Sequence, residues 1–295
     1  MQCLINAPAK INLFLEVGKR RSDGYHNIYS LMHSVPLYDT IIAEKLPAAN
    51  GEKKILFTCS DTALPLNEKN LAYKAALWFF ERFSVSSYVL RLHVDKRIPK
   101  EAGLGGGSSD AAAVLLCCSR LYLEEADRDD KLLLPNAAAL GADVPFCMMR
   151  GAAAAFGIGE ILEPCPTLPT CILIIAKGPE AISTAAAYRA LDKIPVHADR
   201  SGELSKLLVQ LRDRNLSGIC EHLYNRFEEV VLTDCPITLR IKQTMLECGA
   251  KGALMSGSGS AVFGIFDNDK MAGSASEVLQ KSPGVNVWTL NSKDI

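Results

Sequence analysis

A mixed α+β fold in two domains is what the sequence predicts, on three observations. Short apolar–polar alternations fill the first third, a strand, a glycine-rich loop and a helix follow one another near residue 100, and strand- and helix-like stretches continue after a proline-rich interruption at 163–169. The chain has 295 residues, more than one small core needs, and 48% of them are hydrophobic. The domain change is expected between 155 and 170, giving an N-terminal domain over 1–160 and a C-terminal domain over 161–295.

The elements follow in order. Residues 11–17, 38–46 and 54–59 carry strand patterns. Residues 70–83 have helical periodicity, with Leu71, Ala75, Trp78 and Phe79 on one side. Residues 89–94 alternate as a strand does, and after the glycine loop an alanine-rich helix is expected over 111–123. The charged stretch 124–131 reads as a solvated connection, and 132–140 as a helical piece stopped near Gly141. Beyond it, 151–156 is a small-residue strand, 163–169 a linker or turn, and 171–176 a strongly β-prone run. Helices are expected at 184–191, 204–212 and 237–248, and strands at 261–266 and 285–290. There is no internal repeat and no low-complexity tail.

Charge and cysteine usage exclude several classes. Lys and Arg number 32 against 33 Asp and Glu, so the formal net charge of -1 gives no reason to expect nucleic acid or a membrane as partner, although Lys19-Arg20-Arg21 is a local basic cluster. The 10 cysteines contain no Cys-x-x-Cys spacing, which argues against a zinc ribbon or a thioredoxin-type site. Cys147, Cys171 and Cys220 sit among apolar neighbours, as free thiols in a reducing compartment do. The N-terminal Met1-Gln2-Cys3-Leu4-Ile5-Asn6 does not read as a secretory signal, and no apolar run is long enough to span a bilayer. The expectation is a soluble cytoplasmic protein, a monomer or weak homodimer.

Five segments carry chemistry. Gly103-Leu104-Gly105-Gly106-Gly107-Ser108-Ser109-Asp110 opens a helix, where glycines admit close approach of a ligand and free N–H groups favour an anion, most often phosphate. The other reading is a flexible loop with a serine N-cap. It is neither a Walker A loop, lacking the terminal Gly-Lys-Ser/Thr, nor a dinucleotide fingerprint. Lys10 and Asn12 share one face of an apolar strand, either as its solvent side or as a cation and an amide aimed at a ligand, where Lys10 would neutralise phosphate charge or favour an ionised acid. Ser22-Asp23-Gly24 is a turn, and Tyr25-His26 at its exit either packs on a neighbouring strand or reads a planar heterocycle. Asp143, after a helix stop and before a proline, is an N-cap or a carboxylate that accepts a proton from a hydroxyl. Met255-Ser256-Gly257-Ser258-Gly259-Ser260 is a second glycine loop, a plain loop or one wall of a cleft.

Taken in order, these segments resemble the superfamily of galactokinase, homoserine kinase, mevalonate kinase and phosphomevalonate kinase, the GHMP kinases. The resemblance spans nearly the whole chain and is strongest toward the branch that phosphorylates a cytidine-diphosphate-linked methylerythritol in non-mevalonate isoprenoid synthesis. It implies a two-domain GHMP-kinase-like fold with the active-site cleft between the domains, ATP as phosphoryl donor and Mg²⁺ as its metal. It implies Asp143 and Lys10 as catalytic residues. It places Asn12 near the transferred phosphate, His26 and Tyr25 at the cytosine, and Thr184 with Tyr188 on the cytosine's other side. It makes Pro99, Gly103, Leu104, Gly105, Gly106, Gly107, Ser108 and Ser109 the ATP phosphate loop, with Ser108 also a metal ligand and Asn70 and Lys96 near the nucleotide. Two positions depart from the pattern: Glu101 puts negative charge beside a triphosphate site unless it points to solvent or holds metal, and Gly252-Ala253-Leu254-Met255 lacks the arginine expected before Met255. The alternatives are a sister kinase acting on homoserine, mevalonate or a sugar, and a non-catalytic nucleotide-binding regulator on the same fold.

Overall fold

The computed structural model describes residues 1–125, 133, 136–195 and 200–294. Two compact units divide the chain: Met1–Ala9, Leu37–Ile98 and Gly105–Arg150 form the first, and Lys10–Pro36, Pro99–Leu104 and Gly151–Ile295 the second. The strands β1 (Gln2–Arg20) and β2 (His26–Leu46) are hydrogen-bonded neighbours, and each passes from one unit to the other along its length. Both are much longer than 11–17 and 38–46, because small and polar residues such as Ala7, Ala9, Ser30 and Ser34 interrupt the apolar pattern while remaining buried.

In the first unit, residues 40–46 of β2 pair antiparallel with β4 (Tyr88–Asp95), and β3 (Lys53–Cys59) pairs parallel with β4. Two helices pack together here, α1 (Leu71–Arg82) and α2 (Gly106–Tyr122). Ala72, Ala75, Ala76, Phe79 and Phe80 form the buried face of α1, at helical spacing. Asn70 is its N-cap, accepting from Ala72 N at 3.0 Å, and Arg82 complements its C-terminal dipole. Burial of a Phe of this kind stabilises by about 1.5–3 kcal/mol. The short helix α3 (Val144–Met149) packs on α2. Helix α2 begins five residues earlier than the expected 111, with Gly105 rather than a serine as N-cap. The connection expected at 124–131 and the helical piece at 132–140 fall partly outside the described residues.

In the second unit, residues 30–33 of β2 pair antiparallel with β5 (Ala152–Phe156), which pairs with β6 (Ile161–Pro164). The proline-rich linker is thus partly a strand: β6 takes in Glu163 and Pro164 at an edge, where proline's missing donor costs nothing. A separate antiparallel sheet has β7 (Ile172–Lys177) among its inner strands, with α4 (Thr184–Leu191), α5 (Ser201–Arg212), α6 (Leu216–Glu221), β8 (Tyr224–Asn225), α7 (Glu228–Val231) and α8 (Pro236–Glu247) following in sequence. With β9 (Gly252–Met255), β10 (Val262–Phe266) and β11 (Asn286–Asn291), its order is β11-β7-β10-β9. Helices α8 and α9 (Asp269–Gln280) pack on it. β8 pairs parallel with β1 at Phe14–Tyr224 and Leu15–Asn225. All ten cysteines are free, and burial pushes thiols such as Cys165 up to about 11 and Cys220 up to about 12. Among the described residues no helix is long and apolar enough to cross a membrane.

Candidate active site

In the second unit, Lys10 and Asn12 do share a face of β1, and that face is buried rather than solvated. Lys10 Nζ donates to Asn12 Oδ1 at 2.8 Å, Asn12 Nδ2 to Ser30 Oγ at 2.8 Å, and Ser30 Oγ to the Phe14 carbonyl at 2.8 Å. This directed chain fixes the orientation of the Asn12 amide, because a lysine ammonium only donates. The backbone N–H of Lys10 donates to the Leu104 carbonyl at 2.9 Å, tying β1 to the first half of the glycine loop.

The same half meets the C-terminal glycine loop. Ser256 Oγ donates to the Gly103 carbonyl at 3.0 Å, and Ala261 N donates to the Ala102 carbonyl at 3.1 Å. Asn225 Nδ2 donates to the carbonyls of Met255 and Gly257, each at 2.7 Å. Gly257 (φ 55°) has its α-carbon turned toward Lys10, so that a β-carbon there would lie 3.4 Å from Lys10 Nζ. Thr184, at the start of α4, bonds Ser258 at 2.8 Å. Pro99 opens the second unit's share of the loop, and Glu101 is exposed.

Elsewhere in that unit, the expected turn forms at residues 22–24, with Asp23 Oδ1 accepting from Tyr25 N at 3.1 Å. Tyr25 and His26 part company there: Tyr25 is 58% exposed, whereas His26 is buried. The His26 ring stacks on Tyr188, centroids 4.8 Å apart at 25°, and Tyr188 meets Phe227 edge-on at 5.0 Å and 87°. Asp192 Oδ1 lies 2.8 Å from His26 Nε2.

In the first unit, the glycine loop becomes the start of α2. Gly105 (φ 69°) is its N-cap and supplies no side chain, so among the described residues the first-turn amides of Gly106, Gly107 and Ser108 have no side-chain cap. Ser109 is turned inward, its Oγ donating to the Pro8 carbonyl at 2.6 Å, whereas Ser108 is half-buried. Asn70 caps α1, as described above. Asp143 occupies the N-cap position of α3 but makes no capping hydrogen bond with its side chain, which removes the cap as the reason for a carboxylate there.

Lys96 lies between two carboxylates that the sequence reading did not single out. Its Nζ donates to Asp39 Oδ2 and, at 2.6 Å, to Asp110 Oδ2. Asp39 Oδ1 also accepts from the amides of Arg97 (2.5 Å) and Ile98 (2.8 Å). Burial pulls the Lys96 ammonium down, but the carboxylates of Asp110 and Asp39 outweigh it and the net shift is up. Burial raises Asp110 to about 7, against the pull of Lys96 and with the push of Asp39. Asp110 Oδ1 is buried without a hydrogen-bond partner. A signal for Asp39 exists in the sequence: with period 2 it shares the face of Leu37 and Ile41, an acid on an apolar face.

Comparison with known proteins matches this arrangement to a class of two-part kinases. The model of the GHMP kinases N terminal domain matches residues 70–151, and that of the GHMP kinases C terminal region matches 207–285. A 4-diphosphocytidyl-2-C-methyl-D-erythritol kinase of Caldicellulosiruptor bescii is 39% identical over 94% of this chain and 93% of its own. One of Lachnospira eligens is 38% identical over 97% and 96%. A crystal structure of 4-(cytidine 5'-diphospho)-2C-methyl-D-erythritol kinase superposes with a TM-score of 0.78 at 33% identity, covering 98% of each chain. A homoserine kinase from Cytophaga hutchinsonii, at 18% identity over 99% of this chain and 95% of its own, shares the fold with a TM-score of 0.76. The chain belongs to the 4-diphosphocytidyl-2-C-methyl-D-erythritol kinase family of the GHMP kinases.

Proposed function

We propose that this chain transfers the γ-phosphoryl group of ATP to the 2-hydroxyl of 4-diphosphocytidyl-2-C-methyl-D-erythritol, in non-mevalonate isoprenoid precursor synthesis. The observation that carries this reading is the extent of the likeness: 38–39% identity over 94–97% of the chain to relatives of that one activity. The two family matches fall on either side of residue 160, which supports the division into 1–160 and 161–295. Ten free cysteines support a cytoplasmic setting.

Phosphoryl transfer is mostly positioning and electrostatic stabilisation. The amides of Gly106, Gly107 and Ser108 bind the triphosphate at a helix start whose N-cap, Gly105, offers no side chain. Pro99, Gly103, Leu104 and Gly105 shape the approach to it, and Ser109 anchors α2 to β1 through Pro8. Asn70 and Lys96 bound the nucleotide. Asp143 orients the acceptor hydroxyl and takes its proton; Lys10 counters charge at the transferred phosphate, with Asn12 holding it in place. His26 and Tyr25 read the cytosine, flanked by Tyr188 and the Thr184 end of α4. A magnesium ion would enter with the phosphates, and the half-buried Ser108, in the first turn of α2, would help to hold it. That ion would neutralise charge between the β- and γ-phosphates.

The test is ATP consumption with 4-diphosphocytidyl-2-C-methyl-D-erythritol, mevalonate or homoserine as acceptor, with and without Mg²⁺. Turnover on the cytidyl substrate alone, abolished by chelation, is expected. Turnover on another acceptor reassigns the substrate, and none on any makes the chain a nucleotide-binding regulator.

A further inference from the structure

Asp192 is not part of the expected site, yet it holds the ring that is expected to read the base. It is the C-cap of α4, its N–H donating to the Tyr188 carbonyl at 3.0 Å, so one helical turn supplies both the side chain stacked on His26 and the one bonded to it. The Asp192 carboxylate is 30% exposed and His26 only 7%, so the contact closes one edge of an otherwise enclosed ring. An ionised carboxylate can only accept, so His26 Nε2 carries the hydrogen of the 2.8 Å bond. In the neutral ring Nδ1 is then the acceptor. Among the described residues the His26 ring makes no other hydrogen bond.

We propose that Asp192 is a specificity-determining positioning residue: by fixing the His26 tautomer it makes Nδ1 an acceptor, which selects a pyrimidine offering an amino group over one offering a carbonyl. The inference rests on the reading that His26 contacts the base. A 4-amino group donates to Nδ1; a 4-carbonyl brings two lone pairs together and leaves both unsatisfied. Loss of one such hydrogen bond corresponds to a preference of roughly 10- to 100-fold. A carboxylate is required for this rather than an amide, because an asparagine can donate to Nε2 as well as accept from it and so leaves the tautomer open.

The experiment compares kcat/KM for the cytidyl substrate and its uridyl analogue in the wild type, Asp192→Asn, Asp192→Glu and His26→Ala. The wild type is expected to prefer the cytidyl substrate by at least about 10-fold, mostly through KM. Asp192→Asn should lose most of that preference, and Asp192→Glu should restore part of it. If Asp192→Asn weakens both substrates equally and keeps the preference, Asp192 only supports the fold and the proposal falls while the kinase reading stands. If His26→Ala leaves KM for the cytidyl substrate unchanged, the base-reading role of His26 falls and the proposal with it. Should the Asp192 variants fail to fold, ¹⁵N chemical shifts of the His26 ring in the wild-type protein decide: a protonated Nε2 with a bare Nδ1 supports the proposal, and the opposite tautomer overturns it.

Discussion

The α-carbon of Gly103 faces the Ser256 carbonyl so closely that a β-carbon on Gly103 would stand 1.9 Å from that oxygen. Two glycine loops 153 residues apart in sequence are therefore one backbone-on-backbone contact, secured by the Ser256 hydroxyl on the Gly103 carbonyl. Glycine is required twice over, since Gly103 also has φ 72°. Gly103→Ala should lower stability by roughly 2–5 kcal/mol, from the left-handed backbone and the overlap together. Gly107→Ala is the matched control: nothing lies within 4 Å of its β-carbon position and its φ is ordinary, so it should change stability by less than about 1 kcal/mol. Urea unfolding of the two variants checks both, and equal losses would remove the contact as the cause.

Asp143 carries a different kind of test. Its side chain does not cap α3, so removing the charge costs no cap. A positioned general base contributes about 10²–10⁴-fold, and Asp143→Asn should lower kcat by that factor with little change in ATP affinity. Single-turnover kinetics with titrated ATP separates the two. A near-wild-type rate would take the proton-accepting role away from Asp143.

Local patterns in the sequence are legible by themselves, and contacts between distant residues are not. The glycine loop at 103–109, Lys10 beside Asn12 and the turn before Tyr25 are local patterns, and local patterns survive folding. Helix α9 was illegible because Gly273, Ser274 and Ser276 blunt its apolar stripe, although Asn268 caps it visibly, accepting from Lys270 and Met271. Asp192 could not be found from sequence at all: its partner is 166 residues away, and nothing in the run Ala190-Leu191-Asp192 marks it from an ordinary helix end. Asp110 was in plain view as the last letter of the loop, but that it turns inward to Lys96 depends on β2 bringing Asp39 to the same place.

That cluster predicts a pH dependence. Asp110 titrates at about 7 in the folded protein, chiefly through burial, against an ordinary 3.8. A carboxyl whose folded value is raised contributes stability that is full below about 4 and lost as pH rises toward 7. Asp110→Asn removes this titration while keeping the shape. Relative to the wild type the variant should therefore gain on the order of 1 kcal/mol or more between pH 4 and pH 8. Chemical denaturation at both pH values measures it, and a constant difference would mean that Asp110 is ionised throughout.

His33 predicts the opposite slope. It is fully buried in β2, three residues beyond the Ser30 that orients Asn12. Its Nδ1 lies 2.5 Å from the Ser34 carbonyl and so must donate, while Nε2 accepts the Leu168 N–H at 2.9 Å. One proton on the ring satisfies both bonds. A second proton would set an N–H against the Leu168 N–H in a site without water access. Burial is the main cause that lowers the ring to about 4, from an ordinary 6.5, outweighing the Ser34 carbonyl. A histidine depressed in this way contributes stability that is full above 6.5 and is lost as pH falls toward 4. The size of the effect is roughly 3 kcal/mol. His33→Gln presents one donor and one acceptor but does not titrate, so its loss of stability between pH 7 and pH 4 should be smaller than the wild type's by that amount. If the two acid profiles run parallel, the ring is not held neutral, and the tie between β2 and the segment around Leu168 is not what acid breaks.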